Sequence, residues 1–334
     1  MEIDPLEALA GRRVGVHLPL GKGMVKAVER ARAIGATCLQ VFADNPTAWR
    51  RRAAPPAELP AFRARLGEAD ILPLAVHGPY LLNLATADET IWARTVETLA
   101  GELRMGVLYG AAFVNVHIGS HRGHGSEVGV SRIATAVRRV LDEVPPGEDV
   151  PLLVLENSAG GGDGLGGTVE ELAAIQDAIG AAGADPGRVA FCLDSAHAWG
   201  AGYEISRPEE VDRLLERLAA ALGPGRIAMA HLNDSKAGLG SHADRHEHIG
   251  AGRIGAPGLR HLVLHPAMAG VPFYLETPGM DEGYDRINMD RVRAMLHGDP
   301  LPDLPPAAGG KTATRRPQAS GRRPGASGSR PPAG

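Results

Sequence analysis

LPLAVH (72–77), AFVNVH (112–117), PLLVLE (151–156), VAFCLD (189–194), RIAMAH (226–231) and VPFYLE (271–276) are six short apolar runs, and each ends on His, Asp or Glu. Their length and Val/Leu/Ile/Ala content are those of strands buried on both faces, as in a parallel sheet. One such polar strand end is ordinary. Six together predict that His77, His117, Glu156, Asp194, His231 and Glu276 converge, because the C-terminal strand ends of a closed (β/α)8 barrel share one face.

Two further runs complete a set of eight: RVGVHL (13–18), with His17 near its end, and TCLQVFA (37–43), followed by Asp44 and Asn45. Helical periodicity fills the gaps, as in 24–34, 89–110, 130–144 and 209–222. Two helix starts have capping-box spacing: Thr168 with Glu171, and Ser206 with Glu209, the second helped by Pro208 in its first turn. The alternation predicts the α/β class and a single (β/α)8 TIM barrel over 13–300, preceded by a leader, 1–12. GGGDGLGG (160–167) follows the fifth strand rather than the first and has no P-loop lysine, so it reads as a flexible βα loop.

At 334 residues and 44% hydrophobic composition the chain can bury one large core. Cys38 and Cys192, the two cysteines, fall inside expected strands and read as small core residues of a reducing compartment. No apolar stretch approaches the roughly 18 residues of a membrane span. The first residues, MEIDPLEALAGRR, carry early acids and no apolar core of a signal peptide, so a cytoplasmic protein without membrane association is expected. The C-terminal segment 301–334 is expected to be a disordered basic Gly/Pro-rich tail. From Ala307 onward it has six bases and no acid, and taking six from the formal −4 leaves the rest of the chain at −10. Such a tail is either a solvated extension or a weak anchor for a polyanion.

Three neighbours join the strand-end ligands. His197 lies three residues beyond Asp194, and Asp244 with His246 forms a D-x-H pair after the seventh strand. Five imidazoles and four carboxylates without a thiolate suit zinc or manganese at an open catalytic site. Nine donors exceed the needs of one ion. At three or four per zinc, with bridging carboxylates, they serve two or three. His17 has two readings, a hydrogen bond to substrate or support of the pocket. The remaining histidines (His121, His124, His242, His248, His261, His265 and His297) are expected on loops or helices, most of them solvated.

HGPYLLNL (77–84), NVHIGSH (115–121), LENSAGGG (155–162), CLDSAHAWGAGYE (192–204), HLNDSK (231–236), DRHEHIGAGRIG (244–255) and LET (275–277) together resemble the endonuclease IV family of zinc-dependent apurinic/apyrimidinic (AP) endonucleases. The resemblance runs in order from about Val14 to Leu296. It implies a TIM barrel with three zinc ions: one on His77 and His117 with Glu156 bridging, a second on Glu156, Asp194, His231 and Glu276, and a third on His197, Asp244 and His246. It also implies hydrolysis of duplex DNA 5′ to an abasic site, leaving a 3′-hydroxyl and a 5′-deoxyribose phosphate, and removal of 3′ blocking groups. Glu156 would be the catalytic centre, bridging metals and orienting the attacking water. The sequence departs from the family where Asp194-Ser195-Ala196-His197 replaces D-T-C-H and where Gly78-Pro79 follows His77. Pro46-Thr47 stands where some relatives have a Gln-Arg pair resembling a DNA wedge, which leaves Tyr80 and Leu81, with Asn45 on the neighbouring loop, as the expected DNA contacts.

The chemistry suits the donors. Paired metals roughly 3.5–4 Å apart clamp the attacking and leaving oxygens of a phosphodiester and activate water. Three zincs and four carboxylates leave a formal charge of about +2 with neutral imidazoles, enough to attract a phosphate to an acidic barrel. A base already missing lowers the cost of flipping the sugar out. The rival reading is a sugar isomerase or epimerase of the xylose-isomerase-like barrel type, whose metal would need only Glu156, Asp194, His231 and Glu276. It gives no role to His197, Asp244 or His246. The expected partner is therefore double-stranded DNA with abasic sites or blocked 3′ ends, acted on by a monomer.

Overall fold

The computed structural model describes residues 4–52, 54–279 and 283–305. Eight parallel strands close on themselves: β1 (Val14–His17), β2 (Leu39–Val41), β3 (Leu74–His77), β4 (Phe113–His117), β5 (Leu152–Glu156), β6 (Val189–Asp194), β7 (Ile227–His231) and β10 (Phe273–Leu275). Closure is made by β1, which pairs with β10 through Val14↔Phe273 and with β2 through His17↔Gln40. A two-residue antiparallel ladder, β8 (Asp234–Ser235) with β9 (His246–Glu247), stands outside the barrel. The expected TIM barrel is the fold.

The period-2 pleat decides which residues enter the barrel. Buried apolar residues fall into two clusters. The larger contains Val14, Val16, Leu39, Val41, Leu74, Val76, Leu153, Leu155, Phe191 and Leu193, packed with the helices. The smaller contains Cys38, Ala75, Val154, Ala190, Cys192, Met229 and Tyr274. The inner positions are mostly small, and Tyr274 fills the space, its hydroxyl donating to Pro73 O at 3.1 Å. At Gly15 a Cβ would lie 1.8 Å from the Cys38 carbonyl oxygen, so only glycine fits there. One step further along the same inner rows, two residues on, come Gln40, His77, Glu156, Asp194, His231 and Glu276. The pleat that buries Cys38, Ala75, Val154, Cys192, Met229 and Tyr274 thus carries the polar residues into the mouth.

The outer ring follows the sequence periodicity, with α2 (Met24–Ala33), α3 (Leu59–Glu68), α4 (Glu89–Tyr109), α5 (Ser126–Glu143), α6 (Val169–Ala181), α8 (Pro208–Leu222), α9 (Gly255–Leu264) and α10 (Tyr284–His297). On α8 the stripe Val211, Leu214, Leu215, Leu218 and Leu222 is buried, each leucine contributing about 2 kcal/mol of transfer free energy. Thr168 and Glu171 form the expected capping box on α6. The second expected box does not form. Pro208 takes the first helical position, which makes Arg207 the N-cap, and Ser206 instead donates its hydroxyl to Glu204. Cys38, just before β2, and Cys192, in β6, are both buried.

A short helix, α1 (Pro5–Ala8), is capped by Asp4, and Leu9 beyond it is buried in the core. The barrel unit runs to Pro302, with Leu301 packed against the core. Of the expected basic tail, everything from 306 onward lies outside the described residues. Among the described residues no helix is long and apolar enough to cross a membrane.

Candidate metal centre

Glu156, at the end of β5, is the hub. Its Oε2 lies 3.5 Å from both His77 Nε2 and His117 Nε2, and its Oε1 lies 3.1 Å from His197 Nδ1 and 3.2 Å from His231 Nδ1. Register explains part of this: His117 pairs with Glu156 across β4 and β5, and Asp194 with His231 across β6 and β7. His197 arrives by capping. Asp194 is the N-cap of the short helix α7 (Ser195–Gly200), and its carboxylate accepts from His197 N at 2.7 Å. His246 arrives on β9, held by the ladder to Ser235.

Three sets of donor atoms gather within 4.8 Å of one another: His77, His117 and Glu156; Glu156, Asp194, His231 and Glu276; and Asp194, His197 and His246. Asp244 is half exposed and reaches the third set from outside, 3.3 Å from His197 Nε2 and 3.1 Å from His246 Nε2. Asp194 stands between the second and third sets, 3.7 Å from both His231 Nδ1 and His246 Nε2. All nine residues read from the sequence are therefore brought together. Cys192 also lies beside His231 and Glu156, but burial pushes its thiol up to about 12, away from a thiolate donor.

The imidazoles are oriented for cations. His77 Nδ1 donates to Gly78 O at 2.7 Å, His197 Nδ1 to Asn157 O at 2.9 Å, and His246 Nδ1 to Glu276 O at 3.0 Å. Carbonyls only accept, so each Nδ1 carries a proton, and Nε2 is the atom each ring would present to a metal in place of its second proton. His246 Nε2 is buried without a well-formed hydrogen bond, facing the Asp244 and Asp194 carboxylates. A buried imidazole nitrogen facing two carboxylates is a place where a divalent ion could replace a proton, and the all-N/O donor set fits zinc.

His231 is turned the other way, and Gln40 is the cause. Gln40 Nε2 donates to Glu276 Oε1 at 2.7 Å, so its Oε1 faces His231 Nε2, 3.0 Å away. The amide oxygen can only accept, which fixes a proton on Nε2 and makes Nδ1, facing Glu156, Glu276 and Asp194, the atom this ring would give to a metal. Sequence reasoning missed Gln40. Its signal was present, since Gln40 is two residues beyond the inward Cys38 in TCLQVFA. Three asparagines were missed likewise, each adjacent to or two residues from a named ligand. Asn115 Nδ2 donates to Glu156 Oε2 at 2.6 Å, Asn157 Oδ1 accepts from Asp194 N at 2.6 Å, and Asn233 Nδ2 donates to Asp194 Oδ2 at 2.7 Å.

Electrostatically the site is a mesh of opposed charges. Burial opposes ionisation of Glu156, but His231 and His117 outweigh it and hold the carboxyl well below its usual range. Burial likewise depresses His246, yet the Asp244 hydrogen bond and the nearby carboxylates lift it to about 9. His17 Nδ1 lies 2.8 Å from Glu276 Oε1 while its Nε2 is buried without a partner, and the ring lines the cavity. It thus supports Glu276 and borders the space where a ligand would lie.

That cavity, about 1140 Å³, extends from the cluster past Phe42 and Tyr80 to the loop after β2. Tyr80 is 59% exposed with its ring 5.2 Å from Phe42, whereas Leu81 is half-buried. Asn45 lines the cavity, but its Oδ1 is engaged by Thr47 N at 3.0 Å and Thr47 Oγ1 at 2.9 Å, a turn rather than an open donor-acceptor. The two rim loops are joined by Tyr80 N donating to Pro46 O at 3.1 Å. GGGDGLGG is the βα loop after β5 as expected, and it is pinned rather than loose, by a bridge between Ser120 and Gly164 and by His121 N donating to Asp163 O at 3.0 Å.

The β2 loop is clasped from below. Arg51 donates to Asn45 O at 3.0 Å and lies 3.5 Å from the buried Glu102 of α4. Burial pushes the Glu102 carboxyl up to about 7, only partly offset by Arg51. The folded state therefore favours the protonated form, and Glu102 costs stability as pH rises from its unfolded value near 4.5 through 7. Between pH 5 and pH 8 wild type should lose about 2.5 kcal/mol relative to Glu102→Gln. Denaturant melts of both proteins at the two pH values check this; a constant difference contradicts it.

Of the histidines expected to be solvated, His248 is partly buried beside Asn288 and stacks on Tyr284, and His242 Nδ1 contacts Ala159 O at 3.1 Å. His261 and His265 meet a common carboxylate, Asp212.

A family model described as "Xylose isomerase-like TIM barrel" matches residues 28–296. "Probable endonuclease 4" of Methanoculleus marisnigri is 40% identical over 84% of this chain and 98% of its own length. The endonuclease IV crystal structure from Thermus thermophilus superposes with a TM-score of 0.74 at 38% identity, covering 86% of this chain and 99% of that one. A 3-keto-D-glucoside 4-epimerase from E. coli, 10% identical with a TM-score of 0.60 over 85% of this chain and 99% of its own, shares the fold alone. The chain belongs, within the xylose isomerase-like TIM barrels, to the endonuclease IV family.

Proposed function

We propose that this protein is a zinc-dependent AP endonuclease that hydrolyses the phosphodiester 5′ to an abasic site in duplex DNA, leaving a 3′-hydroxyl and a 5′-deoxyribose phosphate, and that it also clears blocked 3′ ends. The observation that carries this reading is the gathering of His197, Asp244 and His246 beside the four residues an isomerase would need. A single-metal sugar isomerase leaves those three idle.

Three zinc ions would be held by His77, His117 and Glu156, by Glu156, Asp194, His231 and Glu276, and by His197, Asp244 and His246. They would supply charge neutralisation on the phosphoryl oxygens and an activated water. The chain's own residues provide the rest. Asn115 fixes the Glu156 carboxylate that spans the first two sets, and Asn233 ties the ends of β6 and β10 by donating to Asp194 and accepting from Glu276 N at 2.9 Å. The cavity beside them, about 1140 Å³, has room for a flipped sugar-phosphate, and Tyr80 stands exposed at its rim to fill the gap left by the missing base, with Leu81 next to it and Asn45 shaping the adjoining loop.

Tyr80→Ala should weaken binding to abasic duplex about tenfold and binding to intact duplex little, since a base–aromatic stack is worth ~1–3 kcal/mol. Equal weakening on both duplexes would make Tyr80 a structural residue. The basic tail, 301–334, adds transient phosphate pairing in this reading. Deleting 307–334 should flatten the dependence of log K on log[salt], by about 0.9 for each phosphate that the tail had neutralised, and superimposable titrations would leave the tail no such role.

The reading is tested by incubating an end-labelled abasic duplex with the zinc-loaded protein and identifying the product termini. Cleavage 5′ to the lesion with an extendable 3′-hydroxyl is expected. Intact duplex together with isomerisation or epimerisation of a ketose would replace the proposal by the sugar-enzyme alternative.

A further inference from the structure

A second convergence of ligand-type side chains lies outside the barrel mouth, on the helical ring. Asp212 sits in the second turn of α8, His261 in the last turn of α9, and His265 directly follows α9. The two histidines are four residues apart, which places them one above the other on a helical face. Both meet the same oxygen: His261 Nε2 lies 2.5 Å and His265 Nε2 3.4 Å from Asp212 Oδ1, and one donor atom from each residue falls within 4.8 Å of the others. Among the described residues no lysine or arginine pairs with Asp212; the two imidazoles are its partners. All three side chains are partly exposed, with relative accessibilities of 44%, 33% and 20% for Asp212, His261 and His265, so water can complete a coordination shell.

We propose that Asp212, His261 and His265 form a separate metal site that takes one zinc or similar borderline divalent ion and clasps α8 to α9. Two imidazoles and a carboxylate with an open position suit such an ion, not magnesium or calcium, which prefer all-oxygen shells. Ligand atoms about 2.0–2.1 Å from a tetrahedral zinc stand roughly 3.3 Å apart. The His265 contact already has that spacing, and the His261 contact opens by less than about 1 Å on exposed side chains. Binding has one identifiable local cost. His265 Nδ1 now accepts a hydrogen bond from Ala267 N at 3.1 Å. With Nε2 given to the metal, Nδ1 carries the proton, and the Ala267 amide must let go.

This site makes no contact with the proposed endonuclease chemistry, so it is tested on protein already loaded at the barrel mouth. Titrating that holoenzyme calorimetrically with zinc chloride should show one further equivalent per chain, accompanied by a rise in Tm and a shift of the Ala267 amide resonance. Asp212→Asn and His265→Ala should each abolish the further equivalent and its Tm rise while leaving abasic incision unchanged; His297→Ala, at the end of α10, should retain both. Absence of a further equivalent in wild type, or its persistence in either variant, overturns the proposal and reduces the cluster to a surface histidine–aspartate ion pair.

Discussion

Glu156→Gln should leave the barrel folded and lower single-turnover incision of abasic DNA by at least about a thousandfold. The substitution is isosteric, and Asn115 Nδ2, 2.6 Å from Glu156 Oε2, can still donate to an amide oxygen. What disappears is the charge that faces four imidazoles at 3.1–3.5 Å from the centre of the site. In the proposed enzyme that charge would serve the first two metals, and no other carboxylate could replace it: Asp194 lies between the second and third sets and Glu276 belongs to the second, so neither joins the first. The third set, His197, Asp244 and His246, does not take Glu156 as a ligand, and His197 Nδ1, 3.1 Å from Glu156 Oε1, keeps the Asn157 carbonyl as its acceptor, so the set should keep its ion. Zinc content must therefore be measured on the same sample. Incision near the wild-type rate with zinc retained would remove Glu156 from the mechanism.

Gln40→Met should weaken zinc at Glu156, Asp194, His231 and Glu276 by about 10–100-fold, the usual cost of losing a group that orients a ligand. Methionine approximates the volume but can neither accept from His231 nor donate to Glu276, both in fully or largely buried surroundings. His231 is then free to take the other tautomer, with a proton where its lone pair should face the carboxylates. Competition against a chromophoric chelator reads the affinity, and long-range proton–nitrogen spectra of the His231 ring read the tautomer. Excess zinc should restore incision. Unchanged affinity with an unchanged tautomer would show that packing alone orients His231.

The barrel and most of the site could be read from the chain because both are written in period 2. A residue two steps beyond an inward Ala75, Val154 or Cys192 must also face inward, so a His, Glu or Asp there is placed without tertiary information. His197 was legible for a local reason as well, since Asp194 caps the helix that carries it. Gln40 obeys the same parity, but glutamine has no ligand chemistry of its own to draw notice; its role exists only through His231 and Glu276 on other strands. The α8 start was misplaced because Ser206 and Pro208 offer two rival cap positions and proline's preference for the first turn won. The anchoring of 160–167 to the β4 loop and the meeting of Asp212 with His261 and His265 depend on packing between distant segments, for which the sequence carries no periodic signal.

The claim on which the rest stands is that nine side chains from the strand ends and their loops form one three-metal centre. Elemental analysis after zinc loading and zinc-free gel filtration tests it, carried out on His261→Ala so that only the barrel mouth is counted. The result expected is three zinc ions per chain, falling to two when His246→Ala is added, with the other two retained because His77, His117, Glu156, Asp194, His231 and Glu276 are untouched. One ion or fewer in the first protein, or an unchanged count in the second, would contradict it.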